Sequence, residues 1–193
     1  MNFSAVILAG GKSSRMGRDK AFLETSGQSL LARQIELVRA TGAVDIFISG
    51  REQADYSAFG YPVLEDKFSN AGPLAGIERG LAACTSRLLL VLAVDLPEMK
   101  AELLRALMAS SLEMLGSIPR VNGNLEPLAA FYPKAAHCLA ESLLRDRLNA
   151  VAIFAGRCVL SGLARFAELP DSEARHFTNW NTPADFPVAA VER

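Results

Sequence analysis

The sequence predicts a single-domain, three-layer α/β/α fold in which a mostly parallel sheet carries helices on both faces, and three observations predict it. Short apolar runs alternate with helical patterns through the first half of the chain. The longest run, Leu88–Val94, lies between Arg87 and Asp95 and suits a central strand buried on both faces. No repeat, low-complexity tract or Pro/Gly-rich linker divides the 193 residues, which make one large domain.

In chain order, Phe3–Leu8 is uniformly apolar apart from Ser4 and reads as a buried strand. A helix follows over Ser29–Ala40, ended by Gly42, and then a strand over Val44–Ser49. The pattern continues with a helix over Glu52–Phe59, a short strand at Pro62–Leu64, a helix over Gly72–Ala83, the strand Leu88–Val94 and a helix over Lys100–Ser110. Repeated βαβ units demand right-handed crossovers and a parallel sheet. Ligands of such sheets bind beyond the carboxyl ends of the strands, where Gly10, Ser49, Asp66 and Asp95 fall. Beyond Gly116 the alternation loosens: Gly123–Tyr132 mixes turn residues with an extended run, Ala135–Arg145 reads as a helix, and Val151–Phe154 fits either state. Thr182-Pro183-Ala184-Asp185 has the capping residue, the first-turn proline and the early carboxylate of a short terminal helix.

Bulk properties narrow the function classes. With 20 basic and 21 acidic residues the net charge is −1, so neither nucleic acid nor an anionic membrane is attracted globally. No apolar run spans a bilayer, and the amino-terminal strand is not a signal peptide, so a cytoplasmic protein is expected. Cys84, Cys138 and Cys158 have neither Cys-x-x-Cys nor Cys/His spacing and read as idle thiols in a reducing compartment. His137 and His176 have no spacing that suggests a ligand or a triad.

The chemistry concentrates in Leu8-Ala9-Gly10-Gly11-Lys12-Ser13-Ser14-Arg15-Met16-Gly17-Arg18-Asp19-Lys20. A glycine pair after a strand lets backbone groups approach an anion, and Arg15 and Lys20 add charge that amides lack. A nucleoside triphosphate is the expected guest. The P-loop pattern fails because no glycine stands at the required distance before Gly10-Gly11-Lys12-Ser13, and the Gly-x-Gly-x-x-Gly fingerprint fails on the consecutive glycines. Any one of these cations could be a solvated surface charge; their ordered combination points to phosphate. Asp95 could cap the next helix or serve as a carboxylate for magnesium, which takes one or two carboxylates plus phosphate oxygens.

These residues resemble the signature of the nucleotidyltransferases that activate sugars, polyols and the molybdenum cofactor. Glu65-Asp66, Gly72-Pro73-Leu74-Ala75-Gly76, Asp95-Leu96-Pro97, Glu126-Pro127-Leu128 and Asn179-Trp180-Asn181-Thr182-Pro183 are similar, in order, to the molybdenum cofactor guanylyltransferase branch, so the resemblance runs nearly end to end. It implies a Rossmann-like fold of the nucleotide-diphospho-sugar transferase kind, with residues 1–115 as the nucleotide-binding half and 116–193 as the acceptor-binding half. It implies transfer of GMP from GTP to molybdopterin-bound molybdenum cofactor with release of pyrophosphate. Asp95 would then be the ligand of Mg2+, and Lys20 and Arg15 would neutralise charge during transfer. Leu8, Ala9, Gly10, Gly11, Gly50, Asp66, Gly72 and Pro73 would contact the nucleotide, with Gly76 shaping the same pocket. Asn179, Asn181 and Glu126, with Asn122 and Asn124 nearby, would contact the acceptor. Other cofactor-biosynthesis proteins or molybdoenzymes are expected partners.

One departure bears on the base. Where the family has an Asn-Arg pair after the second strand, this chain reads Gly50-Arg51, so a side-chain contact is missing at Gly50. Transfer of CMP to molybdopterin or to a polyol or sugar phosphate therefore stays open, as does a carrier that holds nucleotide or pterin without chemistry.

Overall fold

The computed structural model describes residues 2–10, 20–25, 27–51, 54–111 and 115–180. Strand β1 is Phe3–Leu8, with all six residues buried, and the short β2 (Glu24–Thr25) and β3 (Gln28–Ser29) pair antiparallel before helix α1 (Leu30–Thr41). Ser29 caps α1 by accepting from Ala32 N at 3.2 Å, and Gly42 ends it at φ 98°, a left-handed position that suits glycine. Then come β4 (Asp45–Ser49), β5 (Val63–Leu64), α2 (Pro73–Ala83), β6 (Leu88–Ala93) and α3 (Ala101–Ser110). The second half holds β7 (Gly116–Val121), β8 (Asn124–Leu125), β9 (Ala129–Pro133), α4 (His137–Arg145), α5 (Val151–Leu160) and β10 (Ala164–Glu168), closed by a 3-10 segment at Asp171–Phe177.

The main sheet has the order β10-β7-β9-β6-β1-β4-β5, with β8 paired to β7. β1 lies parallel between β6 and β4, and β5 continues parallel outside β4. β9 runs antiparallel to both β6 and β7, while β10 is parallel to β7. Alternate residues of each central strand serve opposite faces, as the pleat requires. Phe3, Ala5, Ile7, Leu88, Leu90 and Leu92 meet α1 and α3, whereas Val6, Leu8, Leu89 and Val91 meet α2, α4 and α5. The expected three-layer arrangement is therefore present. Among the described residues no helix is long and apolar enough to cross a membrane.

Three expectations change. The helix expected over Glu52–Phe59 is only a 3-10 turn at Ser57–Phe59, with Glu52 and Gln53 outside the described residues. Asp55 accepts from Ser57 N at 2.8 Å and Gly60 turns the chain at φ 72°, so local bonds replace a helical ladder. The ambiguous Val151–Phe154 is helix, the first turn of α5. Strands β7 and β10 had no clear sequence signal. Gly116 and Pro119 interrupt β7, yet Gly116 is required because a Cβ there would overlap Phe131 O of β9. The terminal helix proposed after Thr182 lies outside the described residues.

Candidate active site at the carboxyl rim of the sheet

β1, β4, β5 and β6 all finish at one edge, and main-chain bonds join the residues just beyond them. Ala9 N and Gly10 N both donate to Ser49 O, at 2.8 and 3.0 Å, and Val94 N donates to Leu8 O at 3.1 Å. The amides of Ala9 and Gly10 therefore close the sheet; neither is available to grip phosphate as a glycine loop would suggest. Helix α2 braces the same rim through Gly76, where a Cβ would overlap Ser49 Oγ and lie 2.8 Å from Leu8 Cδ2. Gly76 is buried in that contact, so it supports the rim from behind. Gly72 stands at φ 71° with Pro73 opening the helix, and both are exposed at the rim.

Asp95 follows β6 directly. Its Oδ2 lies 3.1 Å from Lys20 Nζ, with the two side chains 22% and 18% exposed. Lys20 heads the 3-10 turn Lys20–Phe22, so a loop that leaves β1 delivers a cation to the end of β6. Asp95 does not cap α3, since Lys100 occupies the cap position and Asp95 turns to Lys20 instead. Its loop is fastened on three sides. Gln34 and Arg33 of α1 donate to Leu96 O and Pro97 O at 2.7 and 2.9 Å, and Trp180 N donates to Asp95 O at 3.0 Å. His176, buried, places Nδ1 2.6 Å from Glu98 O, which makes it a structural pin between that loop and the 3-10 segment.

The remaining candidates distribute around this pair. Asp66 is exposed just past β5, while the adjacent Lys67 pairs with Glu141 of α4 at 2.8 Å. Asn179 is exposed and carried to the rim by the Trp180–Asp95 bond. Glu126 lies in the β8–β9 connection, whose Leu128 O accepts from Ala93 N at 2.8 Å, so this segment too reaches the end of β6. Burial pushes the Glu126 carboxyl up from the ordinary range. The Asn122 amide faces the Asp171 carboxylate, and the backbone of Asn124 pairs with Val121 in the β7–β8 hairpin. Gly11, Arg15 and Asn181 lie outside the described residues.

At Gly50 the structure supplies what the sequence lacked a reason for. A Cβ there would overlap Cε2 of Tyr56 and lie 2.6 Å from its Cζ, so the absent side chain is replaced by an aromatic ring. Tyr56 was not legible as a site residue because its partner, Phe22, is remote in sequence. Several other titratable groups lie inside the framework. His137 pairs with buried Glu78 at 2.8 Å, joining α4 to α2, and Cys84 and Cys158 are buried, the latter thiol pushed up to about 12 by desolvation. Burial and the raised pKa of both thiols disfavour the thiolate form that a nucleophile needs.

The family model described as the MobA-like NTP transferase domain matches residues 5–165. The chain belongs to the MobA-like NTP transferases. A protein of Opitutus terrae named "Probable molybdenum cofactor guanylyltransferase" is 37% identical over 94% of this chain and 92% of its own length. One of Syntrophotalea carbinolica named "Molybdenum cofactor guanylyltransferase" is 32% identical over 95% of this chain and 88% of its own. The crystal structure of molybdopterin-guanine dinucleotide biosynthesis protein A from Archaeoglobus fulgidus shares the fold, with a TM-score of 0.73 at 22% identity over 96% of this chain and 94% of that one. The nucleotide-diphospho-sugar transferase architecture expected from the sequence is thus the one observed.

The donor set of this MobA-like NTP transferase bears on which metal it could hold. Among the described residues no cluster of three or more His, Cys, Asp or Glu could cage an ion. The partly exposed Asp95 carboxylate at this rim suits a hard cation that keeps its waters and shares phosphate oxygens.

Proposed function

We propose that this chain transfers GMP from GTP to the terminal phosphate of molybdopterin-bound molybdenum cofactor, forming the guanine dinucleotide. The observation that carries the reading is the Lys20–Asp95 pair, a cation and a carboxylate 3.1 Å apart at the ligand-binding edge of the sheet, in a chain whose relatives carry that activity in their names. An oxygen of the acceptor phosphate attacks the α-phosphorus, the bond to the β-phosphate bridging oxygen breaks, and pyrophosphate leaves with that electron pair. The acceptor is already ionised, so no protein nucleophile is needed, and positioning with charge neutralisation carries the rate.

Asp95 would hold Mg2+, which when bound offsets phosphate charge and fixes the triphosphate's orientation. Lys20 neutralises charge that grows on the α-phosphate oxygens or the departing pyrophosphate. Arg15 and Gly11, which precede Lys20 in the sequence, act on the same phosphates. Ala9 and Gly10 meet the base through their carbonyl side, since the two amides already serve Ser49, and Leu8, whose carbonyl accepts from Val94 N, borders it. Gly50, Asp66, Gly72 and Pro73 border the nucleotide in the half formed by residues 1–115. Asn179, Asn181 and Glu126 receive the pterin in the half formed by residues 116–193, and the product passes to other cofactor-biosynthesis proteins or molybdoenzymes in the cytoplasm.

Thermal melts at matched magnesium test the base, because a selectively bound nucleotide raises the melting temperature. GTP is expected to stabilise the protein more than CTP. The reverse order would overturn the guanine reading in favour of a cytidylyltransferase, and binding of GTP with no release of its pyrophosphate when the cofactor is supplied would indicate a carrier.

A further inference from the structure

We propose that Tyr56 is a positioning residue that holds the Lys20 turn in place, with Gly50 as the seat that admits its ring. The inference rests on the reading of Lys20 given above. Lys20 stands on a 3-10 turn of three residues, too short to hold itself by its own hydrogen bonds. Its ammonium also ends a flexible four-carbon stem. A defined place for that charge therefore needs anchors on the turn itself. One is Ala21, fully buried. Another is Leu23, whose carbonyl accepts from Leu30 N of α1 at 2.9 Å. A further one is Phe22, 40% exposed, whose ring stacks on Tyr56 with centroids 5.5 Å apart and planes at 17°. Phe59 flanks Phe22 at 6.1 Å.

Tyr56 is itself immobilised. It is 2% exposed, its hydroxyl accepts from Arg51 N at 3.2 Å, and its ring covers the α-carbon side of Gly50. The stack thus ties the residue after β4 to the turn that delivers Lys20 to Asp95 beyond β6. Gly50 is obligatory in this arrangement, because any Cβ would displace the ring. The missing side chain noted in the sequence is, on this view, the condition for the clamp.

The test pairs a kinetic cycle with a structural readout on the full chain. Hydrogen exchange of the segment Lys20–Leu23 is expected to accelerate in Tyr56→Ala and in the milder, partly exposed Phe22→Ala, with Tyr56→Phe close to wild type. Each of Lys20→Met and Tyr56→Ala is expected to lower kcat by about 100-fold, and the double variant by little more than either alone. Gly50→Ala should reproduce the Tyr56→Ala loss. Unchanged exchange at Lys20–Leu23 in Phe22→Ala overturns the clamp, as do kinetic losses that multiply. Accelerated exchange with an unaffected kcat in Lys20→Met leaves the clamp standing and overturns the role given to Lys20 instead.

Discussion

The two ends of the parallel sheet each carry an aspartate at a strand boundary, and they are built differently. At the amino edge, Asp45 opens β4 and receives hydroxyls from Ser4, at 3.0 Å, and from Thr85. Ser4 is completely buried and also accepts from Ser86 N at 3.3 Å, so the cluster is a knot of short side chains that ties β1, β4 and the approach to β6. At the carboxyl edge, Asp95 closes β6 and receives a long cation from a loop, while its main chain and those of Leu96, Pro97 and Glu98 are fastened by Trp180, Gln34, Arg33 and His176. The difference separates a carboxylate tied into the framework from the one proposed to work on the ligand. The first is satisfied by hydroxyls from its own framework; the second has a fastened backbone and, in the proposed mechanism, a lysine partner that gives way to phosphate or metal.

That contrast can be broken most severely at Asp95. Asp95→Asn is expected to reduce pyrophosphate release by about 100- to 1,000-fold with secondary structure and melting temperature close to wild type, measured by coupled assay and circular dichroism. At the opposite edge Asp45→Ala should do the converse, lowering stability by about 1–3 kcal/mol in urea unfolding while leaving kcat/KM near wild type, because it strips a partner from a buried hydroxyl. A loss of activity there as large as at Asp95 would erase the distinction. Gly76→Ala sharpens it from a third side. Overpacking against Ser49 and Leu8 should cost about 1–3 kcal/mol and raise KM for GTP, since the brace behind the rim must shift.

The smallest effect concerns Glu126. Its carboxyl is raised by burial, so protonation is easier in the folded state, and this favours folding at low pH and opposes it once the group ionises. Glu126→Gln should therefore raise the melting temperature slightly at neutral pH. The gain should vanish as pH falls below the unfolded carboxyl's 4.5, which melts across that range would show.

Legibility followed the locality of the cause. β1 and β6 were readable because every residue of each is buried, so their apolar runs needed no partner to be recognised. α1 was readable from Ser29 and Gly42, whose capping roles are local. β7 and β10 were not, since a strand containing Gly116 and Pro119 is justified only by the backbone of β9 passing close by and by pairing with β10. The turn at Ser57–Phe59 is not a helix because Asp55 bonds Ser57 N and Gly60 turns the chain, and only the structure shows Tyr56 drawn onto Gly50 and Phe22 as well.

By itself the chain determined its layered α/β architecture, the edge at which a ligand would bind, and the residue types placed there, because these depend on hydrophobic periodicity and on the order of glycines, cations and carboxylates. Only the tertiary structure decided that Lys20 meets Asp95, that the Ala9 and Gly10 amides are spent on Ser49, and that Tyr56 fills the place beside Gly50. The first two join segments far apart in the chain, as does the stack of Tyr56 on Phe22, and such contacts exist only once the sheet has brought its strand ends to a common rim.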